Sequence, residues 1–197
     1  MSSKKIIITG ALGQDGKILS KILVKKGYNV FGFINKKHTS KIKKVNYKIV
    51  NLRESFNIKK ELNLIKPTHI IHFGSSNPSF GSKINYYKDN YKCSKNIIDS
   101  IISVDKNIKF IFPNSSQIFT QKKTVSEKDR FVISSSYTKF RVNIYRYMKS
   151  MKRKKKLNFT NLIIFNHDSK YRNKKFILPR IVQGIKRKNI VFLKKIF

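Results

Sequence analysis

Apolar runs of strand length alternate along this chain with longer stretches in which apolar residues return at helical spacing. The first run, Lys5-Ile6-Ile7-Ile8-Thr9, comes almost at once, and later runs of similar length begin or end at turn-forming or charged residues. The pattern predicts strands over residues 5–9, 29–34, 47–50, 68–73, 109–113 and 159–165. Between them it predicts helices over 15–26, 55–65, 89–104 and 135–151, with a shorter one over 179–186. Strands alternating with helices are the signature of βαβ units, hence of an α/β fold with a mainly parallel sheet. Gly27 closes the first helix, and Pro67, which cannot extend the helix before it, marks the end of the second. A last apolar run, Ile190-Val191-Phe192-Leu193, reads as one more strand.

Charge changes the picture more than length does. The 197 residues are enough for one full core, and a 40% hydrophobic content argues for a folded chain. Lys and Arg number 45 against 9 acids, a formal charge of +36. Such a charge invites polyanions, but the cations are scattered in small clusters such as Lys25-Lys26, Lys43-Lys44, Lys59-Lys60 and Lys186-Arg187-Lys188. Without a single recognition element, contact with nucleic acid is expected to be weak, salt-sensitive and nonspecific. The run Lys152-Arg153-Lys154-Lys155-Lys156 reads as a solvated helix end or loop. The lone Cys93 excludes an intrachain disulfide and a cysteine-cluster metal site. No apolar run approaches the ~18 residues of a membrane span, so no membrane span and a cytoplasmic address are expected.

The most specific local feature is Thr9-Gly10-Ala11-Leu12-Gly13-Gln14-Asp15-Gly16, between the first strand and the first helix. Glycines at 10, 13 and 16 permit a tight turn, close approach of backbone to a pyrophosphate, and close packing of helix on strand. The helix N-terminus would add N–H donors and partial positive charge. At the end of the second strand, where an NAD site usually carries an acid for the ribose hydroxyls, stand Asn35-Lys36-Lys37. No acid there repels a 2′-phosphate and two cations could hold it, which favours NADP over NAD. Surface lysine in a lysine-rich chain is the competing reading.

The spacing Gly-x-x-Gly-x-x-Gly resembles the NAD(P)-dependent epimerase/dehydratase family of extended short-chain dehydrogenases, and Gln14-Asp15-Gly16 resembles its GDP-mannose 4,6-dehydratases in particular. The resemblance implies a doubly wound parallel sheet (Rossmann fold) over 1–165 and the start of an incomplete, rudimentary substrate lobe over 166–197. It covers nearly the whole chain, which stops before the family does, as if truncated at its C-terminus. Asn51-Leu52 fall where the family has Asp-Leu beside the adenine, and Gly74 lies in a small-residue turn resembling the one beneath the cofactor. A plain strand-ending turn is an equal reading of Gly74.

The resemblance also implies a set of reacting groups, with two departures. Phe112-Pro113-Asn114-Ser115-Ser116-Gln117-Ile118-Phe119 resembles the family's Ser-Thr-Ser-Glu-Leu-Tyr segment and puts Ser115 at the hydroxyl donor to the sugar oxygen. Gln117 replaces the glutamate that deprotonates the sugar carbon, and an amide cannot be that base. Tyr137-Thr138-Lys139-Phe140-Arg141 resembles the Tyr-x-x-x-Lys pair, with Arg141 on the helix face where the lysine would lower the tyrosine pKa and bind ribose. Lys139, two residues from Tyr137, points elsewhere. Phe165-Asn166-His167-Asp168-Ser169 resembles the family's Phe-Asn-His-Glu-Ser; by that likeness Asn166 contacts the sugar nucleotide, and Arg172 or Arg180 its diphosphate.

The reading that results is a sugar-nucleotide 4,6-dehydratase acting on a GDP-mannose-like substrate with tightly bound NADP. Hydride would leave C4 for the cofactor, water would be eliminated across C5 and C6, and hydride would return to C6. The alternatives are a related epimerase or reductase, a noncatalytic NADP-binding remnant, or a basic nucleic-acid-associated protein. The family resemblance further implies a homodimer through the helices over 89–104 and 135–151. No metal is implied.

Overall fold

The computed structural model describes residues 4–36, 42–76, 85–119 and 124–186. Its strands are β1 (Lys5–Thr9), β2 (Asn29–Ile34), β3 (Val45–Ile49), β4 (His69–His72), β5 (Lys109–Ser115) and β6 (Phe159–Ile164). Its helices are α1 (Gln14–Lys25), α2 (Ser55–Ile65), α3 (Tyr86–Val104), α4 (Ser136–Lys155) and α5 (Ile177–Lys186). The strands form one sheet in the order β3-β2-β1-β4-β5-β6, every neighbouring pair parallel. The chain winds outward from β1 to β3, then crosses back to β4 on the other side of β1. This is the doubly wound sheet expected from the sequence, with its switch point between β1 and β4, where ligands of such sheets bind.

The period of two along β1 makes the layers. Ile7 faces the larger core with Ile58 and Leu62 of α2, Ile97 and Ile101 of α3, and Phe140 and Ile144 of α4. Ile6 and Ile8 face the opposite way, onto Leu19, Leu23 and Val24 of α1. Adjacent isoleucines therefore belong to different cores, and the strand is buried on both faces because helices cover both.

Element ends differ from the sequence expectation where a local device decides. α3 begins at Tyr86, three residues early, because the Asn85 side chain accepts from the Lys88 N–H at 3.1 Å and caps it. α4 runs on through Lys155 and ends at Lys156 in the left-handed conformation (φ 57°), since exposed Lys and Arg are good helix formers and cations suit a C-terminus. α2 stops as expected before Pro67, with Lys66 left-handed at φ 51°. β3 starts at Val45, two residues early, because pairing with Val30 extends it. β5 reaches Ser115, opposite Ile164 of β6, so two strand ends sit together at the rim. α5 starts at Ile177, two residues before Pro179, which the first turn tolerates. The strand read at Ile190-Val191-Phe192-Leu193 lies outside the described residues.

Candidate functional site

Everything at the carboxyl edge is built outward from the turn after β1. Gly10 has φ +67°, and a Cβ on it would lie 2.8 Å from backbone atoms of Phe73 and Gly74. Gly16 packs so tightly that a Cβ would come within 2.3 Å of the Gly10 carbonyl oxygen. Only hydrogen fits at either position, so α1 is held hard against the turn. Gly13 donates to the Gly10 carbonyl at 2.9 Å and stands at the α1 N-cap, where no side chain caps the helix. The first-turn N–H groups therefore face the rim without an intrahelical acceptor, at the positive end of the helix dipole.

A buried relay fixes this turn to β4. Thr9 Oγ1 accepts from the Gly74 N–H at 3.0 Å and lies 2.6 Å from His72 Nδ1, while His72 Nε2 lies 2.8 Å from Ser94 Oγ. A neutral imidazole satisfies both contacts, accepting from Thr9 and donating to Ser94. Burial, aided by the nearby Arg141 cation, lowers the His72 pKa to about 3. Gly74, the strand-end glycine noted in the sequence, thus lies under the turn rather than in the open cleft. Next to it, Asn90 accepts from the Ser76 N–H at 2.9 Å and holds the end of β4 to α3.

The β5 end and the first turns of α4 bring together residues singled out in the sequence. Ser115 Oγ accepts from the Gln117 N–H at 3.3 Å, opening the short 3-10 helix Ser116–Ile118, and Gln117 is exposed toward the cleft. Tyr137 sits in the first turn of α4, below a capping box in which Ser135 and Thr138 bond reciprocally. Its ring stacks on Tyr86 with centroids 6.0 Å apart. The Arg141 guanidinium lies 5.1 Å from the Tyr137 ring centroid and 5.3 Å from that of Phe112, and donates to the Pro113 carbonyl. One arm of the guanidinium is thus held by the β5 backbone and its face by rings, while its buried Nε has no protein partner. Lys139 points away, over the Tyr87 ring at 5.0 Å. Beneath Tyr137, Tyr86 is buried and its hydroxyl pKa is raised to about 12 by burial.

The opposite wall is the segment leaving β6. His167 bridges to α1, with Nε2 2.8 Å from Asp15 Oδ1 and Nδ1 2.8 Å from the Phe165 carbonyl. Arg172 lays its guanidinium on the Phe176 ring, 3.7 Å from the centroid. Together these walls enclose a cleft of about 840 Å³. Gly10, Gly13, Gln14, Asp15 and Gly16 line it on one side, and Ser115, Gln117, Tyr137 and Arg141 on another. Asn166 and Arg172 complete it.

Other residues singled out from the sequence stand apart. Asn35 and Lys36 are exposed at the end of β2, outside the cleft lining, and Lys37 lies outside the described residues. Asn51 accepts from the Arg53 N–H and donates to Glu54 at the entry to α2, while the Leu52 carbonyl accepts from Asn96 at 3.1 Å. Arg180 is exposed on α5. Sequence reasoning missed His72, which also lines the cleft; its signal was a histidine closing the apolar run His69-Ile70-Ile71-His72.

The cleft fits a dinucleotide: an uncapped helix start, a glycine floor, and the Gln14 Oε1 buried without a protein partner beside it. Among the described residues no group of three or more His, Cys, Asp or Glu could hold a metal, and no helix is long and apolar enough to cross a membrane.

The family model for GDP-mannose 4,6 dehydratase matches residues 7–195. GDP-mannose 4,6-dehydratase of Vibrio cholerae is 24% identical over 203 residues, covering 92% of this chain and 55% of that protein. The Dictyostelium discoideum GDP-mannose 4,6 dehydratase is 27% identical over 209 residues, covering 92% and 58%. The chain therefore spans a little over half the length of these relatives. Among solved structures, UDP-glucose 4-epimerase of Thermotoga maritima with UDP-glucose superposes with a TM-score of 0.84 at 17% identity, covering 95% of this chain and 64% of that one. The dTDP-glucose 4,6-dehydratase of Bacillus anthracis in complex with NAD gives 0.82 at 11% identity, covering 94% and 62%. At such identities the two structures establish the fold.

Proposed function

The chain belongs to the GDP-mannose 4,6 dehydratase family, and from that membership we propose that it binds NADP in the cleft and acts on a GDP-sugar of the GDP-mannose kind as a 4,6-dehydratase. The observation that carries this reading is that the glycine turn, Ser115, Tyr137 and Asn166 all line one cleft. In the proposal residues 1–165 hold the dinucleotide and 166–197 begin the substrate side. The free N–H groups at the start of α1 bind the pyrophosphate, over the floor formed by Gly10, Gly13 and Gly16. Asn35, Lys36 and Lys37 meet the 2′-phosphate, and Asn51 and Leu52 lie beside the adenine. Asn166 contacts the sugar nucleotide, and Arg172 or Arg180 meets its diphosphate.

The nicotinamide, when bound, supplies the hydride acceptor and later the donor. Tyr137, as its phenolate, takes the proton of the sugar hydroxyl being oxidised and is left as the neutral phenol, and Ser115 hydrogen-bonds the same oxygen. Arg141 keeps a cation on the Tyr137 ring, but one arm of its fork is bound to Pro113. The neutral amide of Gln117 cannot remove the carbon-bound proton, so the chain's chemistry slows after oxidation. A second reading, a noncatalytic NADP-binding remnant, draws on those same two residues.

Incubation with NADP and GDP-mannose, followed by assay for the 4-keto-6-deoxy sugar, tests the proposal. Gln117→Glu combined with Arg141→Lys should raise product formation by about 10² or more, the scale of a restored general base. Equal and substantial turnover by both proteins would mean that Gln117 does not occupy the base position. Binding of NADP without product from either would favour the remnant.

A further inference from the structure

Two contacts join α1 to the segment after β6: Lys21 donates to the Tyr171 hydroxyl, and a second bridge is built from two acceptors and one imidazole. His167 Nδ1 faces the Phe165 carbonyl oxygen and Nε2 faces the Asp15 carboxylate, each at 2.8 Å. A neutral imidazole carries a single N–H and can serve only one of them; the imidazolium serves both. The two ends of the bridge are 152 residues apart in sequence and both line the cleft. Asp15 is also the only acid among the described residues lining that cleft, and it stands in the uncapped first turn of α1.

We propose that Asp15 and a protonated His167 form a clasp across the cleft, through which Asp15 acts on an anionic dinucleotide as a positioning residue rather than as its ligand. This rests on the reading that a dinucleotide pyrophosphate occupies the glycine turn. A bare carboxylate at that helix start would repel a pyrophosphate; paired with an imidazolium it presents no net charge. The same clasp seats the segment that carries Asn166 and Arg172, so the dinucleotide wall and the opposite wall are fixed together. Arg172 of that segment stacks on Phe176 and lines the cleft.

The charged groups facing the imidazole are Asp15 from α1 and Arg172 from its own segment. Lys17, Lys21 and Lys170 gather instead about the Tyr171 ring, at 5.8, 5.1 and 5.6 Å. The Phe165 carbonyl is the largest influence raising the His167 pKa, joined by Asp15 and opposed by burial and Arg172. A raised value means that the clasp is complete below the ordinary imidazole pKa of about 6.5 and is lost as pH rises through the folded value. By reciprocity, binding the anionic dinucleotide raises the His167 pKa further.

Titrating the full chain with NADP+ from about pH 6 to about pH 9, beside an NMR titration of His167 with and without NADP+, tests the clasp. The pair is part-exposed, so affinity should fall only about two- to five-fold across that range. The fall should vanish in His167→Gln and in Asp15→Asn, and saturating NADP+ should move the His167 titration upward. Identical pH profiles for wild type and His167→Gln would overturn the coupling while leaving dinucleotide binding intact. A His167 pKa unmoved by Asp15→Asn would overturn the clasp itself. If NADP+ fails to bind at every pH, the functional reading falls and the coupling with it, and the free-protein titration shows whether the clasp was there.

Discussion

A histidine buried as deeply as His72 keeps its place only while neutral. With its pKa at about 3 in the fold and about 6.5 in the unfolded chain, the unfolded state binds more protons between those values. Stability is therefore complete above about pH 6.5 and is lost as pH falls toward 3, by roughly 1.4 kcal/mol per unit and about 5 kcal/mol in all. Urea unfolding should show a loss of about 3 kcal/mol between pH 7 and pH 4 that is absent from His72→Gln. The same loss in that variant would assign the acid sensitivity elsewhere. The sequence did not disclose this group because its partners, Thr9 and Ser94, lie 63 and 22 residues away. That the glycine turn, Ser115 and Tyr137 would meet at one cleft was legible because each belongs to a short local motif. The engagement of Arg141 with Pro113 was not, since a residue type says what a side chain can bond but not where its fork comes to rest.

At the scale of elements, α4 depends on its start. Ser135 accepts from the Thr138 N–H at 3.1 Å, and Thr138 Oγ1 accepts from the Ser135 N–H at 2.9 Å. Ser135→Ala should cost about 1 kcal/mol, a melting decrease of roughly 2–4 °C. A scan that finds no decrease would show that Tyr137 is held by packing on Tyr86 and Arg141 alone. The fold itself was readable element by element: apolar runs matched the six strands among the described residues, and Pro67 and Gly27 marked two helix ends. What periodicity could not supply was the Asn85 cap that starts α3 early, or the run through Lys155 that lengthens α4. Those ends turn on a single side-chain bond and on solvation of exposed cations, neither of which leaves an apolar signal.

For the molecule as a whole, a formal charge of +36 works against association as well as compactness. The homodimer that the family resemblance implies, through α3 and α4, should accordingly form at moderate salt and weaken as salt is lowered, because screening fails beyond a Debye length that grows to ~30 Å at 0.01 M. Sedimentation finding monomer alone at micromolar protein and moderate salt would count against that assembly. The same charge makes loose binding of any anion inevitable, so occupation of the cleft has to be separated from polycation binding. Fluorescence titration with NADPH at about 0.2 M salt does this, since nonspecific contacts are strongly salt-dependent. Saturation at one NADPH per chain, reversed by NADP+ at lower concentration than by NAD+ and not by inorganic pyrophosphate at equal concentration, is the predicted result. Absence of saturable binding, or equal displacement by pyrophosphate, would contradict it.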